Sequence, residues 1–149
     1  MADKILNEEI NAQVKEMFDH QLQHHVEIIY FSKRDPCETC EDTYQLLGEI
    51  ASLSEKLHLS AYNLDENPQL AELYNVNLAP GLVILGHDSG NLLDYGIRFS
   101  GIPSGYEFGS LIHTIILVSR RDSGLKTEVR EDLKRLIDPV NLKVFVTPT

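Results

Sequence analysis

A chain of 149 residues with 42% hydrophobic and 24% charged side chains has enough apolar material for one buried core, which excludes wholesale disorder. A net charge of −10 repels phosphate backbones, so nucleic acid is excluded as an expected partner. No run approaches the ~20 apolar residues of a membrane span, and no apolar signal core follows the first residues; a membrane partner is excluded on that ground, and the reducing cytoplasm is the expected compartment.

In chain order, Ile5 or Leu6, Ile10, Val14, Met17, Phe18 and Leu22 recur every three or four residues. They predict an amphipathic helix capped by Asn7, with Glu8 and Glu9 in its first turn. His20, His24 and His25 fall at or just past its end. His20 and His24 have the i, i+4 spacing of a metal pair, but no third ligand is evident, and polar or cationic residues suit a helix C-terminus. Residues 26–31, nearly all apolar, predict a strand buried on both faces, with Glu27 at a solvent end. Residues 43–56 predict a helix with a stripe of Leu46, Leu47, Ile50, Leu53 and Leu57. Residues 58–64 alternate as a strand. Residues 65–74 predict a short helix with Asp65 as cap and Pro68 in its first turn.

Pro80 stands just before the apolar run 82–85 and is a candidate cis bond. A turn cluster at 86–91 separates that run from an alternating one, Leu93, Tyr95, Ile97 and Phe99, which predicts an antiparallel hairpin with one wet face. A helix is predicted from about Ser104, with Phe108, Leu111, Ile112, Ile115, Ile116 and Ser119 on one face. Residues 120–124 form a charged break. Beyond it a helix (Leu125, Val129, Leu133, Leu136, Ile137) and a strand (Leu142, Val144, Val146) are expected. Tyr30, Phe31, Phe99 and Phe108 are expected in the core. His58, His87 and His113 fall on a strand end, a turn and a helix, with no hydrolytic constellation around them.

The only two cysteines, Cys37 and Cys40, are spaced Cys-x-x-Cys between the first strand and the next helix. Unpaired amides and the positive end of a helix dipole favour a thiolate there. A lone cysteine pair in a reducing compartment is more often catalytic or metal-binding than structural.

The order β-α-β-α-β-β-α, with Cys-x-x-Cys after the first strand and a proline before the third, resembles the thioredoxin-like plan. The segments 74–80 (YNVNLAP), 101–108 (GIPSGYEF), 118–120 (VSR) and 144–149 (VFVTPT) narrow this. They resemble the N-terminal unit of the two-unit glutaredoxin-like protein disulfide oxidoreductases, over essentially the whole chain. The resemblance implies an α/β thioredoxin-like fold. A four-stranded mixed sheet is flanked by helices, with an extra N-terminal helix and a C-terminal helix-strand appendage. Residues 1–122 are then the thioredoxin/glutaredoxin-like domain, and residues 123–149 the opening helix and strand of a second, truncated unit. A truncated piece, a natural short form and half of a split protein stay open. The unpartnered apolar face of residues 125–149 is expected to pack on the first unit or on a second copy, as a homodimer.

The implied activity is protein thiol-disulfide exchange in cell redox homeostasis, with protein disulfides as substrates. Cys37, expected to be the more exposed, attacks. Cys40, expected one turn inside the helix and buried, resolves. Pro80 would shape the groove, and the backbone of Ala79 would pair with an extended substrate. Lys33 and Arg34 favour a thiolate, whereas Asp35, Glu38, Glu41 and Asp42 oppose one; a Cys37 thiol not strongly acidified is expected, and its titration checks this. Between the cysteines stand Glu38 and Thr39, neither the Gly-Pro of thioredoxins nor the Pro-Tyr of glutaredoxins. No cofactor is implied, because the redox equivalents sit on sulfur, and no metal. Alternatives are an electron-relay domain served by a flavoprotein disulfide reductase, like the related double-thioredoxin N-terminal domain of the flavoprotein that reduces peroxide-scavenging enzymes; an inert disulfide; a zinc site; and a redox-inactive interaction module.

Overall fold

In a computed structural model that describes residues 3–34 and 36–147, the Asn7 side chain accepts the amide of Ile10 at 2.8 Å and opens α1 (Glu8–Gln21). Helix α1 buries Val14 and Phe18. The chain turns into β1 (Val26–Ser32), then α2 (Cys40–Ala51), β2 (Leu57–Asn63) and α3 (Pro68–Leu73). The hairpin β3 (Gly81–Asp88) and β4 (Asn91–Ser100) follows, then α4 (Tyr106–Arg120) and α5 (Thr127–Leu133). The sheet order is β2-β1-β3-β4, with β1 parallel to β2 and antiparallel to β3, and β4 antiparallel to β3.

The two faces of the sheet are covered unequally. Val26, Ile28 and Tyr30 of β1 meet side chains of α1, α2 and α4 in the larger core, including Phe18, Leu47, Ile50, Leu111 and Ile115. On the other face Ile29 and Phe31 of β1 join Val83 and Leu85 of β3 under Ala71 of α3. Strand β1 is thus buried on both faces, as its unbroken apolar run predicts.

Several expected boundaries move, each for a local reason. Helix α2 begins at Cys40, ahead of the periodic stretch from 43, and stops at Ala51 rather than 56. Ser52 and Ser54 end it: Ser52 Oγ donates to the Glu49 carbonyl and Ser54 Oγ accepts the Lys56 amide, so hydroxyls replace helical partners. Leu57 is consequently the first residue of β2, not the end of a helical stripe. Helix α3 starts at Pro68 behind Asn67, not at an Asp65 cap. Asn63 and Asn67 build the preceding turn through their side chains, and the Asp65 carboxylate instead accepts the Arg34 amide at 3.2 Å.

Ser89 (φ 51°) and Gly90 (φ 88°) form the two-residue hairpin turn, both left-handed as such a turn needs. Strand β4 carries a bulge: Val83 faces Arg98 while Leu85 faces Asp94. Four residues on a regular strand span roughly 13 Å. With Gly96 at φ 79° the bulge folds that span, so Arg98 grips both oxygens of Asp94 at 2.8 and 2.9 Å. This pairing holds the Asp94 carboxyl below the usual carboxylate range. Arg98 Nε also donates to the Tyr74 carbonyl at 2.7 Å, tying β4 to the end of α3.

The C-terminal strand does not form. Residues 141–147 pair with no strand among the described residues, and no residue of α5 is buried. Alternating side chains mark a strand only where an edge is at hand to accept its amides, and the tail reaches neither β2 nor β4.

Candidate redox site

Strand β1 carries the chain to the site. Beyond Ser32 it turns through Lys33 and Arg34 to the exposed Pro36 and the half-buried Cys37, then through a turn at Glu38 and Thr39 into α2. Cys40 is the first residue of that helix, not one turn inside it, and is 8% exposed. The two cysteines are joined as a disulfide with their Cα atoms 5.5 Å apart. Buried hydroxyls fasten this corner from below. Thr43 Oγ1 donates to the Thr39 carbonyl at 2.6 Å, and the Tyr30 hydroxyl donates to the Cys40 carbonyl at 2.6 Å. Burial pushes the Tyr30 phenol up to about 12, so it stays a donor.

The Ala79–Pro80 peptide is cis. Gly81 pairs with Phe31, so Pro80, one residue earlier, lies at the same end of the sheet from which β1 runs toward Cys37. The Pro80 carbonyl accepts the Gly101 amide at 2.8 Å, which adds the loop after β4 to this corner. Pro80 is buried and Ala79 half-buried. A Cβ on Gly81 would lie 2.6 Å from the Leu78 carbonyl oxygen, so the loop closes only over a glycine.

The charge around the pair differs in one respect from the sequence expectation. Arg34 pairs with Glu66, its Nη2 2.8 Å from the carboxylate, and that hydrogen bond raises the guanidinium pKa. Of the two bases credited with favouring a thiolate, one therefore has a carboxylate partner. Glu38, Glu41 and Asp42 are exposed on the turn and first turn of α2. Asp35, the remaining acid of that count, lies outside the described residues.

Sequence reasoning missed a polar cluster at the opposite end of the sheet. His25 Nδ1 and His58 Nε2 are 3.0 Å apart with their rings stacked, and the His87 ring lies 5.9 Å from that of His58. Glu27, expected at a solvent end, is instead enclosed between Ser60 Oγ, in a short hydrogen bond, and His87 Nε2. Strand register was the missing signal: Glu27 pairs with His58, and the His87 amide bonds the His25 carbonyl. His87 is in β3, not in the turn. His24 lies beyond α1, its amide held by Ser119, so the helical spacing from His20 is lost. Among the described residues no group of three or more His, Cys, Asp or Glu side chains could hold a metal ion, and no helix is long and apolar enough to cross a membrane.

The mixed four-stranded sheet, the Cys-x-x-Cys beyond β1 and the cis-proline before β3 define a thioredoxin-like unit. No family model matches the chain. The F subunit of alkyl hydroperoxide reductase from Staphylococcus aureus is 28% identical over 145 residues, 97% of this chain and 25% of that protein, and its Staphylococcus epidermidis counterpart gives the same figures. The chain therefore spans about a quarter of the length of the curated relatives it matches. Of solved structures, the NTD_N/C domain of the alkyl hydroperoxide reductase AhpF from Enterococcus faecalis superposes with a TM-score of 0.74 at 29% identity, over 86% of this chain and 59% of that one. A protein disulfide oxidoreductase from Aeropyrum pernix gives 0.76 at 26% identity, over 91% and 56%. The chain fits a thioredoxin-like unit of these proteins.

Proposed function

We propose that the chain exchanges thiols and disulfides with other proteins, Cys37 attacking and Cys40 resolving. The observation that carries this reading is a closed Cys37–Cys40 pair in which the first sulfur's residue is half exposed and the second's is buried. The Cys37 thiolate attacks a substrate disulfide, forming a mixed disulfide and releasing one substrate thiolate. Cys40, after losing its proton to solvent, then displaces the second one and restores the Cys37–Cys40 bond. The substrate gains two electrons and the protein loses two. Ala79 and Pro80 line the approach, with the Ala79 backbone offering the pairing edge for an extended substrate.

The likeness to the alkyl hydroperoxide reductase proteins favours a second, narrower reading: the unit relays electrons to or from a flavoprotein disulfide reductase. Insulin reduction separates these readings. Wild-type protein should turn over with dithiothreitol, and Cys37→Ser should lose about 10³-fold or more, as removal of a nucleophile does. Turnover only with a flavoprotein reductase selects the relay. No turnover with either reductant leaves an interaction module.

Residues 123–149 are read as the lead-in to a further thioredoxin-like unit, which sequencing the frame beyond Thr149 checks. Their exposed apolar side chains also support self-association through residues 125–149, measurable by sedimentation with and without them. A cytoplasmic role in redox homeostasis accords with a pair that needs reduced surroundings to work as a dithiol, and cell fractionation tests it.

A further inference from the structure

The residue that carries the second sulfur is held by a hydroxyl which the exchange steps do not use. Tyr30 lies on β1 and is 3% exposed; its hydroxyl donates to the Cys40 carbonyl at 2.6 Å. Cys40 opens α2, so this carbonyl already has a helical amide to accept from the next turn, and Tyr30 takes the other lone pair. The ring of Tyr30 lies 5.7 Å from that of Tyr44, one turn further along α2. Strand and helix are therefore fastened at Cys40 itself. Packing alone does not require the hydroxyl: the next residue, Phe31, is fully buried without one.

In the disulfide form the S–S bond also holds Cys40 against Cys37. In the mixed disulfide that bond is absent, and Cys40 must be kept within reach of Cys37 Sγ by its backbone alone. We infer that Tyr30 is a positioning residue that holds Cys40 for the resolving displacement. This rests on the exchange reading above, with Cys37 as attacker. Cys37 lies outside α2 and the Tyr30 hydroxyl is committed to Cys40, so the two steps respond differently to loss of that hydroxyl. Holding two reacting groups in register governs an intramolecular displacement far more than it governs attack on a diffusing substrate.

Tyr30→Phe keeps the ring and leaves the Cys40 carbonyl its helical partner, so the protein folds. The reduced chain is mixed with an aromatic disulfide whose released thiolates are coloured, each release marking one step. The first release should stay within about twofold of wild type, while the second slows about tenfold and the mixed disulfide accumulates by mass. Ser119→Ala is the control, because it removes a buried hydroxyl that serves the α1–β1 connection and not this corner. It should leave the ratio of the two rates unchanged. Equal slowing of both steps in Tyr30→Phe, an unchanged second step, or the same shift in Ser119→Ala overturns the assignment. Cys40→Ser separates the two readings: if it gives no first release, exchange through Cys37 fails, and the role of Tyr30 falls with it.

Discussion

Helices α4 and α5 carry the same kind of apolar stripe and meet opposite fates. In α4, Leu111, Ile112, Ile115 and Ile116 recur at helical spacing and are buried against β1 and β3. In α5 and just either side of it, Leu125, Val129, Leu133 and Leu136 recur in the same way and all stay exposed. The tail continues the contrast with Phe145, 91% exposed, whereas Phe31 in β1 is fully enclosed. A stripe states which face of an element seeks cover. What supplies the cover is written in other segments of the chain, and for α5 none of the described residues supplies it.

The sharpest way to break this comparison is to remove one phenyl ring from each region. Phe31→Ala leaves a cavity under two layers and should cost about 3–5 kcal/mol in urea unfolding. Phe145→Ala, measured at a concentration dilute enough for the monomer, should change the same midpoint by less than about 0.5 kcal/mol. A loss of several kcal/mol at Phe145 would mean that the tail is covered in solution, and the contrast would become one between two buried regions.

Glycine substitution sharpens it at smaller magnitude. Gly81 sits between the cis-proline and β3, where an added Cβ meets the Leu78 carbonyl oxygen and Val76 Cγ1, both at 2.6 Å. The backbone carbonyl does not give way easily and the half-buried valine only in part, so Gly81→Ala should cost about 1–3 kcal/mol. Gly124, at φ 70° where the tail leaves α4, finds only Leu117 Cδ2 at 3.6 Å. Strain there can relax into the tail, and Gly124→Ala should move the unfolding midpoint by less than about 0.5 kcal/mol. Comparable losses at both positions in thermal unfolding would show that the connection is as rigid as the body.

The same division governed what could be read from the sequence. The order of strands and helices, the Asn7 cap, the doubly buried β1 and the cis-proline each rest on a local signal: period, a capping residue, or Pro before a strand. The Cys-x-x-Cys spacing that brings Cys37 and Cys40 together is equally local, although whether the pair is open or closed is not. Contacts set by register were not legible. Glu27 reads as a strand-end acid until β2 and β3 bring Ser60 and His87 beside it. Arg34 reads as a thiolate partner until the α3 region offers Glu66. The tail failed for a third reason. Alternation at Leu142, Val144 and Val146 is a sound strand pattern, but the pattern does not create the edge it needs.

Acid titration gives the smallest contrast. In the body, the Glu49 carboxylate accepts the amides of Ile5 and Leu6, each at 2.9 Å, and so docks the entry to α1 on α2. Burial pushes its carboxyl up, but these two amides and the Gln45 side chain outweigh that and hold it below the usual carboxylate range. A group lowered on folding stabilises fully above its unfolded range, and the gain is lost as pH falls through the folded value. Two charge-assisted bonds discounted for partial exposure amount to about 1 kcal/mol. Glu49→Gln should lower stability by that much at neutral pH and flatten the acid limb. In the tail connection Asp122 is lowered too, first by the Gly124 amide and then by Arg130, which it meets at 2.7 Å. That carboxylate is exposed and joins two segments outside the core. Its protonation should release residues 126–134 to amide exchange while leaving the unfolding midpoint of the body unmoved. If Asp122→Asn shifted that midpoint as Glu49→Gln does, α5 would belong to the cooperative unit despite its bare apolar face.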